Sequence, residues 1–335
     1  MGAPGGRRPA WGDTGARRKS AAWLPPSARA VVVAVGGLVI FTTMLAAGWW
    51  FGAGDGLGGR YPLWAATASI SLVIWIFVFA LGLSTIRNQP TSWQRKRGWW
   101  IMSSFAAAGF AVAASLILLL ITWNMNQLQT TASLRTIVLL LMILGWLAAS
   151  PWILLIWLTH EEVHAVDASI AAMDQPPATD EFDPKAIDGA TIRSIAASMD
   201  AVWHAIERAS LALGLLLSTL VLNTGVMRTV RVSAGVTDDD FPPWYVLAYG
   251  VFFAAVLAAI LVPIVVAWRD AGFALARRAL GDPLSGIPSE SYVTAQERLL
   301  TRIGVDRPLL RRPIAAVSVL APFLTAFVTS LVPTA

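Results

Sequence analysis

Apolar positions fall along this chain in long, almost uncharged runs separated by shorter polar stretches. Seven of these runs come close to the roughly 20 residues that a helix needs to cross the hydrocarbon layer. They lie at about 30 to 52, 63 to 86, 99 to 123, 136 to 158, 209 to 227, 244 to 268 and 314 to 333. The pattern predicts an all-α, polytopic helical membrane protein with about seven transmembrane helices. Tryptophans stand at several predicted ends, among them Trp49, Trp50, Trp64, Trp99, Trp100, Trp123, Trp157, Trp244 and Trp268. An amphipathic indole favours the headgroup level, so these read as boundary markers.

Between the fourth and fifth runs the spacing changes. Apolar residues recur at Val163, Val166, Ile170 and Met173, and again at Ile192, Ile195, Met199, Val202 and Ile206, alternating three and four apart. That is a heptad seam. The QPPATDEFDP stretch between the two halves breaks a helix. Residues 159–208 are therefore expected to form an acidic helical hairpin that extends the fourth and fifth helices into the cytoplasm, with its tip near 175 to 184.

Composition agrees with this reading. Hydrophobic residues make up 56% of the chain and charged residues 13%, which excludes an ordinary soluble domain. The absence of cysteine excludes disulfides, thiolate metal sites and thiol catalysis. The richness in Ala, Arg, Gly and Trp resembles that of high-GC bacterial coding, so the expected location is a bacterial inner membrane.

Charge sets the orientation. Lysine and arginine are concentrated in the N-terminal tail and in the second, fourth and sixth connections, and only Arg60, Arg135, Arg228 and Arg231 fall on the other side. By the positive-inside tendency, the N-terminus is cytoplasmic and the C-terminus outside. The expected organisation is a disordered basic tail (1–28), four spans (29–158), the acidic hairpin (159–208), two spans (209–268), a basic cytoplasmic or interfacial segment (269–313) and a last span (314–335). In the basic segment, Thr294 with Glu297 has the form of a capping box opening a helix that Gly304 closes. Its apolar side (Leu299, Leu300, Ile303) fits either a helix lying among anionic headgroups or docking against the hairpin.

The runs contain almost no ionisable side chain, which argues against proton-coupled transport or pumping. Asn223, Ser218 and Thr219 are the polar exceptions, read as helix-to-helix contacts before a pore lining. Asp238, Asp239 and Asp240 precede two prolines and lack the spaced ligands of a calcium loop, so they read as a solvated turn. No nucleotide-binding or nucleic-acid-binding pattern is visible, and no nucleic-acid partner is expected.

One motif carries candidate chemistry. In HEEVH, residues 160–164, His160 and His164 stand one helical turn apart and share a face. Two imidazoles at that spacing are able to hold zinc while Glu161 polarises its water, and the hairpin register puts Glu207 level with His160 as a third ligand. The stretch resembles the H-E-x-x-H of membrane-bound zinc metalloproteases, and that resemblance implies Glu161 as the catalytic residue and His160, His164 and Glu207 as metal ligands. It covers five residues. Glu162 puts a charge inside the motif where those proteases usually carry none, and no second motif of such a family is present: Asp188-Gly189 lies in polar sequence.

The expected function is protein interaction or gating through the hairpin, with the bilayer, anionic headgroups and a protein at the acidic hairpin as partners and no cofactor. The alternative is a zinc metalloprotease. A channel with an uncharged pore is the third reading.

Overall fold

A computed structural model describes residues 35–39, 41–43, 45–46, 61–90, 93, 132–174, 189–281, 288–305 and 313–331. The expected span at 99 to 123, most of that at 30 to 52, the N-terminal tail and the hairpin tip lie outside the described residues. The chain divides into two units, 1–39 and 40–335. In the first, residues 35–39 are helical, and everything below concerns the second.

The described part of that unit is helical. Its main elements are α1 (Tyr61–Arg87), α2 (Ala132–Ala171), α3 (Ala190–Ser233), α4 (Pro243–Leu280), α5 (Glu290–Ile303) and α6 (Pro313–Ser330). The first four are long and apolar enough to cross a membrane, and α6 is a shorter apolar helix. Their outward faces carry large apolar side chains such as Leu63, Phe77, Leu140, Phe252 and Val262. A protein that meets lipid keeps such residues outside, because the hydrocarbon is as apolar as its own core.

Cross-helix pairs give the directions of the helices. Asn223 on α3 meets Ser71 on α1, and one turn along each helix Thr219 meets Trp75; the numbers run oppositely, so α1 and α3 are antiparallel. Trp75 lies under Gly145 and Val78 under Trp152, so α1 and α2 run parallel. Gly214 abuts Ser318 and Gly225 abuts Thr329. The equal separation makes α3 and α6 parallel too. Glycine is needed at these crossings, where a Cβ on Gly225 would come within 2.7 Å of the Thr329 side chain.

These directions gather arginines at one end. Arg87, Arg193, Arg208, Arg269, Arg277 and Arg278 all lie at the end where α1, α2 and α4 finish and α3 begins, whereas Arg228 and Arg231 lie at the opposite end.

At the arginine-rich end three helices continue past their apolar windows, one more than the sequence pattern predicted. α4 does not stop at Trp268. It runs on to Leu280, burying Ala271, Gly272, Leu275, Ala276 and Ala279, and Gly281 ends it with φ 75°. Most of the expected seam is buried: Val163, Val166 and Ile170 on α2, and Ile192, Ile195, Met199, Val202 and Ile206 on α3, belong to one continuous core with the α4 residues, while Met173 lies beyond α2 and is only partly buried.

Helix α5 closes this end. Ser289, not Thr294, caps it, accepting a hydrogen bond from the Tyr292 N–H at 3.3 Å, while Thr294 donates back to the Glu290 carbonyl. Gly304, in the left-handed region at φ 79°, ends the helix as expected. Its apolar face is packed into the protein: Leu299, Leu300 and Ile303 are buried, and the following Val305 side chain sits against Gly272. The helix therefore packs chiefly on α4, with a smaller contact to α3.

Two expected boundary tryptophans are core residues. Trp64 and Trp268 are 3% and 4% exposed, whereas Trp157 and Trp244 are exposed. The buried Trp268 indole donates to the Met199 carbonyl at 2.9 Å, and its ring packs on Trp203 at 4.7 Å. A satisfied N–H is what makes the burial of such a large side chain favourable.

Candidate functional site

The HEEVH residues lie within α2, beyond its apolar window and seven or more residues from its end. An unbroken helix on both sides fixes the side-chain directions. His160 and His164 are brought together, with their Nε2 atoms 3.2 Å apart and their rings nearly perpendicular. His160 is half-buried, its ring edge-on to Trp157. His164 is exposed. Glu161 is half-buried beside them, and Glu162 turns into the protein at 8% exposure. The sequence pattern gave no warning of this last placement, because Glu162 flanks the heptad seam and does not lie in it.

Glu207 is held on α3 by its own neighbours. One carboxylate oxygen accepts the Trp203 indole N–H at 2.6 Å, and the other lies 3.6 Å from His204 Nδ1. His204 also approaches Asp200 at 3.6 Å on the exposed face of that helix. Among the described residues no three histidine or carboxylate side chains are close enough to share a metal ion. Thus the two histidines meet as their spacing requires, while Glu207 is engaged elsewhere.

A second polar group lies within the apolar windows. Trp75 Nε1 donates to Thr219 Oγ1 at 2.8 Å, and Asn223 Nδ2 donates to Ser71 Oγ at 2.7 Å and to the Thr219 carbonyl at 2.8 Å. Each bond joins α1 to α3 or closes within α3. This is the helix-to-helix contact expected for Asn223 and Thr219. Asn223 Oδ1 and Ser218 Oγ are buried and have no hydrogen-bond partner among the described residues.

At the opposite end the aspartate triplet serves structure. Arg228, 4% exposed, forms an ion pair with Asp238 and donates through Nε to the Phe241 carbonyl at 2.8 Å. Asp240 accepts from the Thr237 hydroxyl at 2.7 Å. The turn is therefore folded back over the end of α3, with one of its three carboxylates neutralised by a buried guanidinium.

Arg278 was not singled out by sequence reasoning. Near the end of α4, it donates from Nε to the Met173 carbonyl at 2.9 Å and from a terminal nitrogen to the Ala171 carbonyl at 3.2 Å. Ala171 carries one of the orphan carbonyls at the end of α2 and Met173 lies just beyond it, so the cation also meets the negative end of the helix dipole. The recurrence of Ala271, Leu275 and Ala279 beyond Trp268 was the signal that α4 would reach this far.

No protein family matches the chain, and no curated protein or solved structure does so either.

Proposed function

We propose that this is a seven-span protein of the bacterial inner membrane that acts by protein interaction or gating through its cytoplasmic helical end, with the N-terminus inside and the C-terminus outside. One observation carries this reading. Three helices, of 40, 44 and 38 residues, run without interruption from the apolar windows into a shared buried core at the arginine-rich end. A rigid helix moves as a unit, so a partner that displaces this core also displaces the spans.

The arginine distribution supports a cytoplasmic placement of that end. The parallel run of α1 and α2 supports a seventh crossing: the chain leaves α1 at one end and enters α2 at the other, as a span at 99 to 123 requires. The exposed Asp167 on α2 and Asp200 on α3 support a polar partner surface at that end, where α4 shares the buried core.

The zinc-protease reading draws on the meeting of His160 and His164. It requires Glu207 to leave Trp203 and His204 to become a third ligand, at the loss of a charge-assisted bond in a half-buried place.

The test is photo-crosslinking in native membranes. A crosslinking amino acid at Asp167 or Asp200 should give discrete protein adducts, and one at lipid-facing Leu140 should not. If neither polar position yields an adduct while the protein is correctly inserted, the interaction reading fails.

A further inference from the structure

We propose that His160 and His164 form a two-imidazole chelate for one divalent late first-row ion, of the zinc(II), nickel(II) or copper(II) class, independent of any hydrolytic centre. The separation of the two Nε2 atoms, 3.2 Å, is the first ground. Two imidazole nitrogens at about 2.0–2.1 Å from one tetrahedral ion stand about 3.3 Å apart, and a square-planar ion brings neighbouring ligands to about 2.9 Å. The observed spacing lies between these values. An ion enters without the rings having to move apart or together by more than a few tenths of an ångström.

Preorganisation is the second ground. Both histidines sit in the middle of a continuous helix, so the one-turn spacing is fixed before binding and little ordering entropy remains to be lost. Trp157 packs edge-on against His160 at a centroid distance of 6.5 Å, which restricts that ring further. His164 is exposed, so an ion and its remaining waters have an open approach from solvent.

The chemistry balances without a co-reactant. Each ring donates to the ion as a neutral imidazole, with its hydrogen on Nδ1 and the Nε2 lone pair on the metal, so no proton has to leave a neutral pair. Metal and protons compete for the same imidazole lone pairs, so binding weakens as acid is added. With Glu207 held by Trp203 and His204, water completes the coordination. The site is thus an exchangeable clamp on α2 at the point where that helix leaves its apolar window.

The experiment uses the full-length protein without an affinity tag, in detergent, competing for zinc(II) against a chromophoric chelator, with copper(II) paramagnetic resonance reporting bound nitrogen. We expect one ion per chain, released on acidification. His160→Ala and His164→Ala should each weaken binding by at least about tenfold, the scale reached even by outer-shell changes. Combining His164→Ala with Ala165→His keeps the number of histidines but moves one off the shared face, and should weaken binding as much. Glu207→Ala and His204→Ala should leave affinity unchanged. The proposal is overturned if wild-type protein takes no zinc from the chelator, if the off-face variant binds as well as wild type, or if Glu207→Ala costs as much as losing a histidine, since that last result describes a three-ligand centre.

Discussion

Arg278 Nε donates to the Met173 carbonyl at 2.9 Å, so the last turn of α4 closes the last turn of α2. The two helices are separated in sequence by the whole of α3. Their ends are joined by a side chain that is only partly buried, and the same guanidinium reaches Ala171.

Arg278→Ala should therefore loosen α2 at its end before anything else. Hydrogen bonds that involve a charged group contribute about 1.5–3 kcal/mol each when well placed, and partial exposure puts this site near the lower figure. Hydrogen exchange should quicken at the amides of residues 168 to 173 and remain slow in the middle of α2. Arg278→Lys keeps the charge at the helix end but loses the fork that spans two carbonyls, so rescue should be partial. Unchanged exchange in the alanine variant would show that the contact has no energetic role.

The buried seam makes a sharper contrast between near neighbours on one helix. Ile195 is 5% exposed, while Ala197, two positions on, faces solvent. Ile195→Asp places a carboxylate among apolar side chains and removes their packing, a loss of about 2–4 kcal/mol. Ala197→Asp should cost little. Limited proteolysis of the extramembrane end should distinguish them, and equal sensitivity of the two variants would mean that the seam is misplaced.

Which parts of this arrangement were legible in the sequence follows from what periodicity records. The apolar runs and the heptad seam mark α1 to α4 because burial repeats along one chain. Nothing in that repeat says what a buried side chain meets on another helix. Trp268 looked like a boundary tryptophan because it stands before Arg269, yet the Met199 carbonyl is there to receive its N–H. Likewise Thr294 and Glu297 have the form of a capping box, but the helix had already begun at Ser289. His160 and His164 were found because their partnership is local. The long-range partnership expected of Glu207 was not observed, since two nearer residues on its own helix engage it.

The polar group inside the spans separates helix packing from a pore. Hydrogen bonds between membrane helices contribute about 0.6 kcal/mol on average, and Asn223 carries one oxygen with no partner. Asn223→Leu removes both the bonds and that orphan acceptor, so the net change in stability should be within about 1 kcal/mol. Denaturation in mixed micelles measures it. If Asn223 lines a conducting path, the substitution should instead leave stability alone and change ion flux in reconstituted vesicles.

Close helix approach should be less forgiving. A Cβ on Gly250 would meet the Ala326 side chain and lie 2.8 Å from the Pro322 carbonyl on α6, and neither neighbour has a flexible end that can swing aside. Gly250→Ala should therefore push α6 from α4, with a loss of about 1–3 kcal/mol, the usual range for overpacking. Ala248 is exposed on the same helix, so Ala248→Val provides the control. A Gly250→Ala protein as heat-stable as the control would mean that α6 does not pack here.

The orientation is tested most directly by the absence of cysteine, because each introduced thiol is then the sole reporter. Thr237 lies in the turn after α3, at the end that carries Arg228 and Arg231, and Asp200 lies on α3 toward the arginine-rich end; both are exposed. If arginine excess directs that end inward, a membrane-impermeant thiol reagent added to intact cells should label Thr237→Cys and should reach Asp200→Cys only after the membrane is opened. The two positions flank the single apolar window of α3, so their labelling cannot be matched by adding a span elsewhere in the chain. Labelling of Asp200→Cys in intact cells, with Thr237→Cys protected, would invert every helix in the bundle and place the proposed partner surface outside.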